Sequence, residues 1–135
     1  MNPEIKKLWI DALLSGEYQQ GQGYLHQIND GESQFCCLGV LCDLAIKNGV
    51  SLHLGKKNDW VTEFDNCSES LPEAVMEWSG LSSTNGGFYY TVSYKGQLAD
   101  GDFIDEEEEL TQSLAELNDS GYTFEEIVVD IEKYF

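Results

Sequence analysis

The sequence predicts an α+β fold: a single compact domain with a central buried helix, about four further helices and small antiparallel strand pairs. Three observations carry that prediction. Phe35–Ile46 holds one charge, Asp43, and places Leu38, Leu41, Leu44 and Ala45 at helical spacing. A helix that is apolar nearly all round belongs in an interior. Phe88–Tyr94 is rich in the aromatic and β-branched residues that favour strands. Phe124, Ile127, Val128 and Ile131 recur with a period near 3.6, as one buried helix face does. With 135 residues, no internal repeat and no linker-like stretch, the domain spans residues 1–135.

In chain order, Asn2 is a good N-cap before Pro3 at the first helical position, so a helix runs from Pro3 to about Ser15. Gln20-Gly21-Gln22-Gly23 follows as a flexible segment. Tyr24–Ile28 and Glu32–Phe35 flank the turn signal Asn29-Asp30-Gly31, which reads as a hairpin leading into the central helix. Lys47 and Gly49 mark that helix's end. Leu52–Leu54 and Trp60–Phe64 suggest a second, irregular hairpin around a Gly55–Asn58 loop. Ser70-Leu71-Pro72-Glu73 has capping-box spacing for a short helix from Leu71 to Ser79. After the aromatic strand, Lys95-Gly96 is expected to turn and Gln97–Ala99 to pair back. Asp105–Glu109 is expected to open a helix burying Leu110, Leu114 and Leu117, broken at Asn118–Gly121. Thr123 and Glu126 form a second capping box before the last helix.

Charge narrows the function. The chain carries 25 acids against 7 bases, a net charge of −18, and every base is a lysine. Without arginine, bidentate recognition of phosphate is absent, so direct binding of nucleic acid is not expected. The imbalance is lopsided: residues 1–58 hold six acids and five lysines, residues 59–135 nineteen acids and two lysines. No apolar run is long enough to span a membrane, and Met1-Asn2-Pro3-Glu4 begins no signal peptide. The four cysteines read as free thiols in a reducing cytoplasm.

Trp9-x-x-Ala12-Leu13-x-Ser15-Gly16-x-Tyr18, Gln20-Gly21-x-Gly23-x-Leu25, Phe35-Cys36-Cys37-Leu38-Gly39-Val40-Leu41-Cys42-Asp43, Leu71-Pro72-x-x-Val75-x-x-Trp78-x-Gly80 and Leu117-Asn118-Asp119-x-Gly121-x-x-Phe124-x-x-Ile127 follow one another along the chain. On these features the sequence resembles a family of small uncharacterised bacteriophage and prophage proteins. The resemblance implies phage ancestry and action in the cytoplasm of the infected cell. It implies no chemistry.

Two functional readings follow. In the first, the protein is not an enzyme, needs no cofactor or metal, and uses an acidic face to bind and inhibit a basic, nucleic-acid-binding host or defence protein. The residues expected to carry it are Asp105, Glu106, Glu107, Glu108 and Glu109, supported by Glu116, Glu125 and Glu126. On a helix their rise of about 1.5 Å per residue would approach the roughly 1.7 Å per charge of duplex DNA. In the second, the Gly21–Gly23 segment binds a small nucleotide-type ligand, or Cys36 or Cys37 at a helix N-terminus acts with His26 as a Cys-His hydrolase, with Asn118 or Asp119 orienting the imidazole. The cysteine spacing lacks the C-x-x-C pair of a zinc site. Asp100-Gly101-Asp102-x-x-Asp105 fails the EF-hand pattern at its glycine and its final glutamate.

Overall fold

The computed structural model describes residues 1–135. Helix α1 (Pro3–Leu14) begins where the sequence places it: the Asn2 side chain accepts the N–H groups of Glu4 and Ile5 at 2.9 and 3.2 Å, and left-handed Gly16 lies just beyond its end. Strand β1 (Gln19–Gln20) runs parallel to β3, and β2 (His26–Asn29) pairs with β3 (Glu32–Phe35) as an antiparallel hairpin. Asp30 and Gly31, both at positive φ, make its two-residue turn. Helix α2 (Cys37–Lys47) buries eight of its eleven residues, which makes it the centre of the molecule.

The second hairpin is irregular, as expected, with a register shift between Lys56 and Asn58, but its first strand is longer. Gly55–Asn58, anticipated as a loop, is part of strand β4 (Leu54–Asn58), and the turn sits at Asp59–Trp60. There the Asn58 side chain accepts the N–H groups of Trp60 and Val61, both at 3.0 Å. Strand β5 (Val61–Phe64) also pairs with β2, so the two hairpins fuse into one five-stranded sheet of order β1-β3-β2-β5-β4. Helix α3 (Glu73–Ser79) starts later than the capping-box spacing suggests, and no side chain caps it. The buried Leu71 N–H is bonded instead to the Thr84 carbonyl at 2.8 Å, which holds the chain extended before Pro72.

The largest correction concerns the acidic run. Asp105–Glu109 does not open a helix; it lies in the middle of strand β7 (Phe103–Ser113). Its partner β6 (Gly87–Gln97) continues past Lys95-Gly96, where a turn was expected, and the chain reverses only at Leu98–Asp102. A long strand as β-prone as Phe88–Tyr94 needs a ladder partner, and that non-local pairing overrides the local preference of the acids. Helix α4 (Leu114–Asp119) begins at Ser113, whose hydroxyl accepts the Glu116 N–H at 3.1 Å. Helix α5 (Phe124–Tyr134) has the Thr123–Glu126 capping box and buries Phe124, Ile127, Val128 and Ile131, as its period requires.

The core is assembled on α2. Trp9 and Leu13 from α1, Val75 from α3, Leu114 and Leu117 from α4 and the apolar face of α5 complete one cluster with it. Its first turn meets backbone directly: a β-carbon at Gly39 would fall on the Leu25 carbonyl oxygen, far inside contact distance. Gly39→Ala therefore forces helix and strand apart and is expected to cost at least about 3 kcal/mol, the upper part of the overpacking range. Gly55→Ala, where a β-carbon meets nothing within 4 Å, is the control and should stay within about 0.5 kcal/mol. Urea unfolding of the two variants checks this; equal midpoints would mean that the close approach does not exist in solution.

Candidate functional site: an acidic two-stranded arm

Strands β6 and β7 form an arm of eleven cross-strand pairs, from Gly87↔Ser113 to Gln97↔Phe103. The length of either strand is roughly 35 Å at about 3.4 Å per residue. Asp and Glu are poor strand formers, so five in succession need favourable neighbours. The register supplies them: Glu109, Glu108, Glu107, Glu106 and Asp105 lie opposite Thr91, Val92, Ser93, Tyr94 and Lys95. No acid faces another acid across the ladder, and the single lysine stands opposite Asp105. The tip is fixed by its backbone, with Leu98 N–H donating to the Asp102 carbonyl at 2.6 Å and Gly101 at φ 96°. The Asp100 side chain accepts the Asp102 N–H at 3.0 Å.

Alternation divides the arm into two faces. One carries Tyr90, Val92 and Tyr94 with Ile104, Glu106, Glu108 and Leu110; the other carries Thr91, Ser93 and Lys95 with Asp105, Glu107 and Glu109. The Tyr94 hydroxyl donates to Glu108 at 3.3 Å, and the negative charge of Glu108 raises the phenol's pKa. At the base, Phe88 stacks on Tyr134 and contacts Phe135, which joins the arm to the core. From Ser93 to Phe103 every residue is exposed. Between Gly87 and Ser113 there are seven acids and one lysine. The only ion pair in the whole chain, Lys47 with Asp43, lies elsewhere, so the arm's carboxylates stand unneutralised.

The supporting acids are not gathered onto this arm. Glu116, in the first turn of α4, lines a groove at the arm's base together with Tyr89 and Thr111. Glu126 is held in the α5 capping box, its carboxylate accepting the Thr123 N–H at 3.1 Å while its own N–H donates to the Thr123 hydroxyl, and Glu125 is exposed beside it in the same first turn. Sequence reasoning did not place the aromatic strand beside the acidic run, and it missed Asp130, which shares a hollow with Tyr90 and Gln112 under the arm's base. Burial raises the Asp130 carboxyl above its usual range. The missed signal was turn chemistry: Asp100-Gly101-Asp102 sits near the middle of the stretch from Phe88 to Ser113 and marks a hairpin apex.

The glycine segment, Cys37, Asn118 and Asp119 of the second reading do meet, as joinery. Asn118 is wholly buried between the glycine segment and the first turn of α2: its oxygen accepts from the Cys37 N–H at 3.1 Å and from Gln20, and its amide donates to the Gly21 carbonyl at 2.7 Å. Asp119 accepts the Gly23 N–H at 2.8 Å. Neither touches His26. Cys36 is the N-cap of α2, its sulfur accepting the Gly39 N–H at 3.4 Å, and burial pushes its thiol up to about 11. Cys37 is fully enclosed and its thiol is raised further by burial. No hydrogen bond joins His26 to either sulfur, since its Nδ1 bonds Thr62 at 2.8 Å and its ring stacks on Phe35. An activated nucleophile needs a lowered thiol pKa, solvent access and a base within reach, and none of the three is present at Cys36 or Cys37. No three His, Cys, Asp or Glu side chains are gathered as for a metal ion. No helix is long and apolar enough to cross a membrane.

Fold and arm together define a class: a small α+β domain that buries three of its four thiols and extends an anionic β-ribbon. The family itself is shown by a family model described as a domain of unknown function, DUF8296, which matches residues 1–135; the chain belongs to that family. No curated protein and no solved structure matches it.

His26 supplies a test of the enclosed joint. Its Nε2 is buried without a partner, and burial lowers its pKa from the ordinary 6.5. The unfolded chain then binds the proton more readily, so this group's contribution to stability is full above pH 6.5 and declines as pH falls below it. His26→Phe keeps a ring against Phe35 and cannot titrate. Urea midpoints should show the wild type losing ground to His26→Phe between pH 7.5 and pH 5.5; parallel changes would place His26 in water.

Proposed function

We propose that the protein binds a basic, nucleic-acid-binding partner through the β6–β7 arm and blocks that partner's polyanion-binding cleft. One observation carries the reading: a long ribbon, exposed from Ser93 to Phe103, whose strand β7 holds five successive exposed carboxylates that nothing in the chain neutralises. Such an arm adds little to the core and repels itself, so its value lies in what it meets. Carboxylates recur about every 3.4 Å along β7 but alternate between its faces, so either face presents one about every 6.8 Å, roughly half the phosphate density along one strand of duplex DNA. The helical spacing expected from the sequence, near that of the full duplex, is thereby corrected, and a sparser row of carboxylates on each face is what a partner would meet. The resemblance to phage proteins points to a host or defence protein as the target and to the host cytoplasm as the place of action.

The aromatic face offers a second element of such a contact. Tyr94, Val92 and Ile104 lie beside Glu106 and Glu108, so a cationic side chain on that face meets a carboxylate and an aromatic ring together.

Binding of this kind weakens steeply with salt, because ions held by each surface are released on contact. The test is a pull-down from host lysate over a salt series, with captured proteins identified by mass spectrometry. A basic nucleic-acid-binding protein should be retained at low salt and lost on replacing Glu106–Glu109 by glutamine. Replacing only Glu106 and Glu108, or only Glu107 and Glu109, tells which face is engaged. Capture that is insensitive to salt, or unchanged in the glutamine variant, would reject the electrostatic mechanism.

A further inference from the structure

We infer that β6 is a pairing edge for a second copy of this chain, giving a dimer with a continuous four-stranded sheet of order β7-β6-β6-β7. The hydrogen-bond phase of the arm sets this up. Leu114 N–H bonds the Gly86 carbonyl and Leu98 N–H bonds the Asp102 carbonyl, which makes the even-numbered residues the hydrogen-bonded pairs of the ladder. The N–H and C=O groups of the odd-numbered residues therefore point outward. On β6 these belong to Thr91, Ser93, Lys95 and Gln97, all exposed and none with a partner in the structure. A long open edge of this composition pairs with another strand unless something blocks it.

Charge decides which edge is blocked. Strand β7 is guarded by Asp105–Glu109, and joining two copies there would set ten carboxylates on strands about 5 Å apart. Strand β6 has no acid from Gly87 to Gln97, and its one charge, Lys95, stands opposite Asp105 within its own copy. Pairing β6 with β6 leaves the two acidic strands three spacings apart, roughly 14 Å, which exceeds the Debye length of about 8 Å at physiological salt. Pairing β6 with β7 of another copy would leave free edges at both ends and grow without closing. Only the two-fold arrangement closes.

A register centred on Tyr94 fits the side chains. The outward groups of Ser93 and Lys95 then bond those of Lys95 and Ser93 of the second copy. Tyr94, 49% exposed in the single chain, lies against Tyr94 of the second copy, and Val92 covers Gly96, around which a β-carbon would meet nothing within 4 Å. Antiparallel pairing sends the two globular bodies to opposite ends, and both rows of acids remain on the outside.

Sedimentation equilibrium over a concentration series tests this on the full chain. The wild type should reach twice the monomer mass. Ser93→Pro removes an outward N–H without touching the β6–β7 ladder and should return the mass to that of the monomer. Ser93→Glu, which keeps the backbone and places a carboxylate at the seam, should also shift the equilibrium to monomer. Glu107→Pro, the same change on the other edge, should leave the dimer intact, and circular dichroism reports whether each variant is folded. A wild type that stays monomeric throughout, dimers that persist in both Ser93 variants, or assemblies larger than two would each overturn the inference.

Discussion

The structure depends on one close approach, the first turn of α2 lying on the backbone of Leu25. The Leu25 carbonyl accepts the Cys36 N–H at 3.3 Å, while its own N–H is bonded to Ser68 at 2.7 Å, so the residue is held from both sides. Glycine at position 39 is what lets the helix come this near. The helix end is then closed by distant parts of the chain: Asn118 takes the Cys37 N–H, and the Trp9 indole donates to the Cys37 carbonyl at 2.9 Å. A buried helix start has orphan N–H groups that must be satisfied or each costs roughly 1–3 kcal/mol. Here the Leu25 carbonyl, the Asn118 side chain and the Cys36 sulfur divide that task, accepting the N–H groups of Cys36, Cys37 and Gly39.

The joint draws on nine residues of the motif blocks that run along the sequence. Trp9, Gly21, Gly23, Leu25, Cys36, Cys37, Gly39, Asn118 and Asp119 all serve the same joint. Tyr18 and Asp43 hydrogen-bond each other, and Lys47 reaches both at 3.0 Å, pinning the loop after α1 to the middle of α2. The pattern in this sequence specifies a scaffold, and chemistry has to be sought outside it. The arm, by contrast, lies between the last two blocks of the motif.

Helices α1, α2 and α5 were legible because their caps and their apolar periods are local and agree. The first hairpin was legible from Asp30-Gly31. What local reading could not supply was the partner of a strand. The spacing of Leu110, Leu114 and Leu117 imitates a helix, yet Leu110 belongs to β7 and the helix begins only after Ser113, with Glu116 at its third position. The same blindness hid the fusion of the two hairpins through His26↔Thr62. Among the candidate site residues, the acidic run was found by composition alone, and its geometry was not. Cys37 and Asn118 do share one joint while His26 is bonded to Thr62 instead, and only burial and bonding show that the joint holds the chain.

The molecule thus separates a self-consistent body from an arm that the body carries; both are anionic, with eighteen acids and six lysines on the body and seven acids and one lysine on the arm. Local stability should follow the same division, highest at α2 and lowest toward Leu98–Asp102, where the arm touches only itself. The most direct measurement is the two-dimensional NMR spectrum of a protein in which Thr91–Glu109 is replaced by Asn-Gly, so that Tyr90 and Leu110 flank a two-residue turn. The account predicts that the Trp9 indole, the Asn118 amide and the amides of α2 keep their positions and their protection from exchange. Collapse of those signals would show that the arm is part of what folds the body, and would contradict the division between scaffold and functional surface.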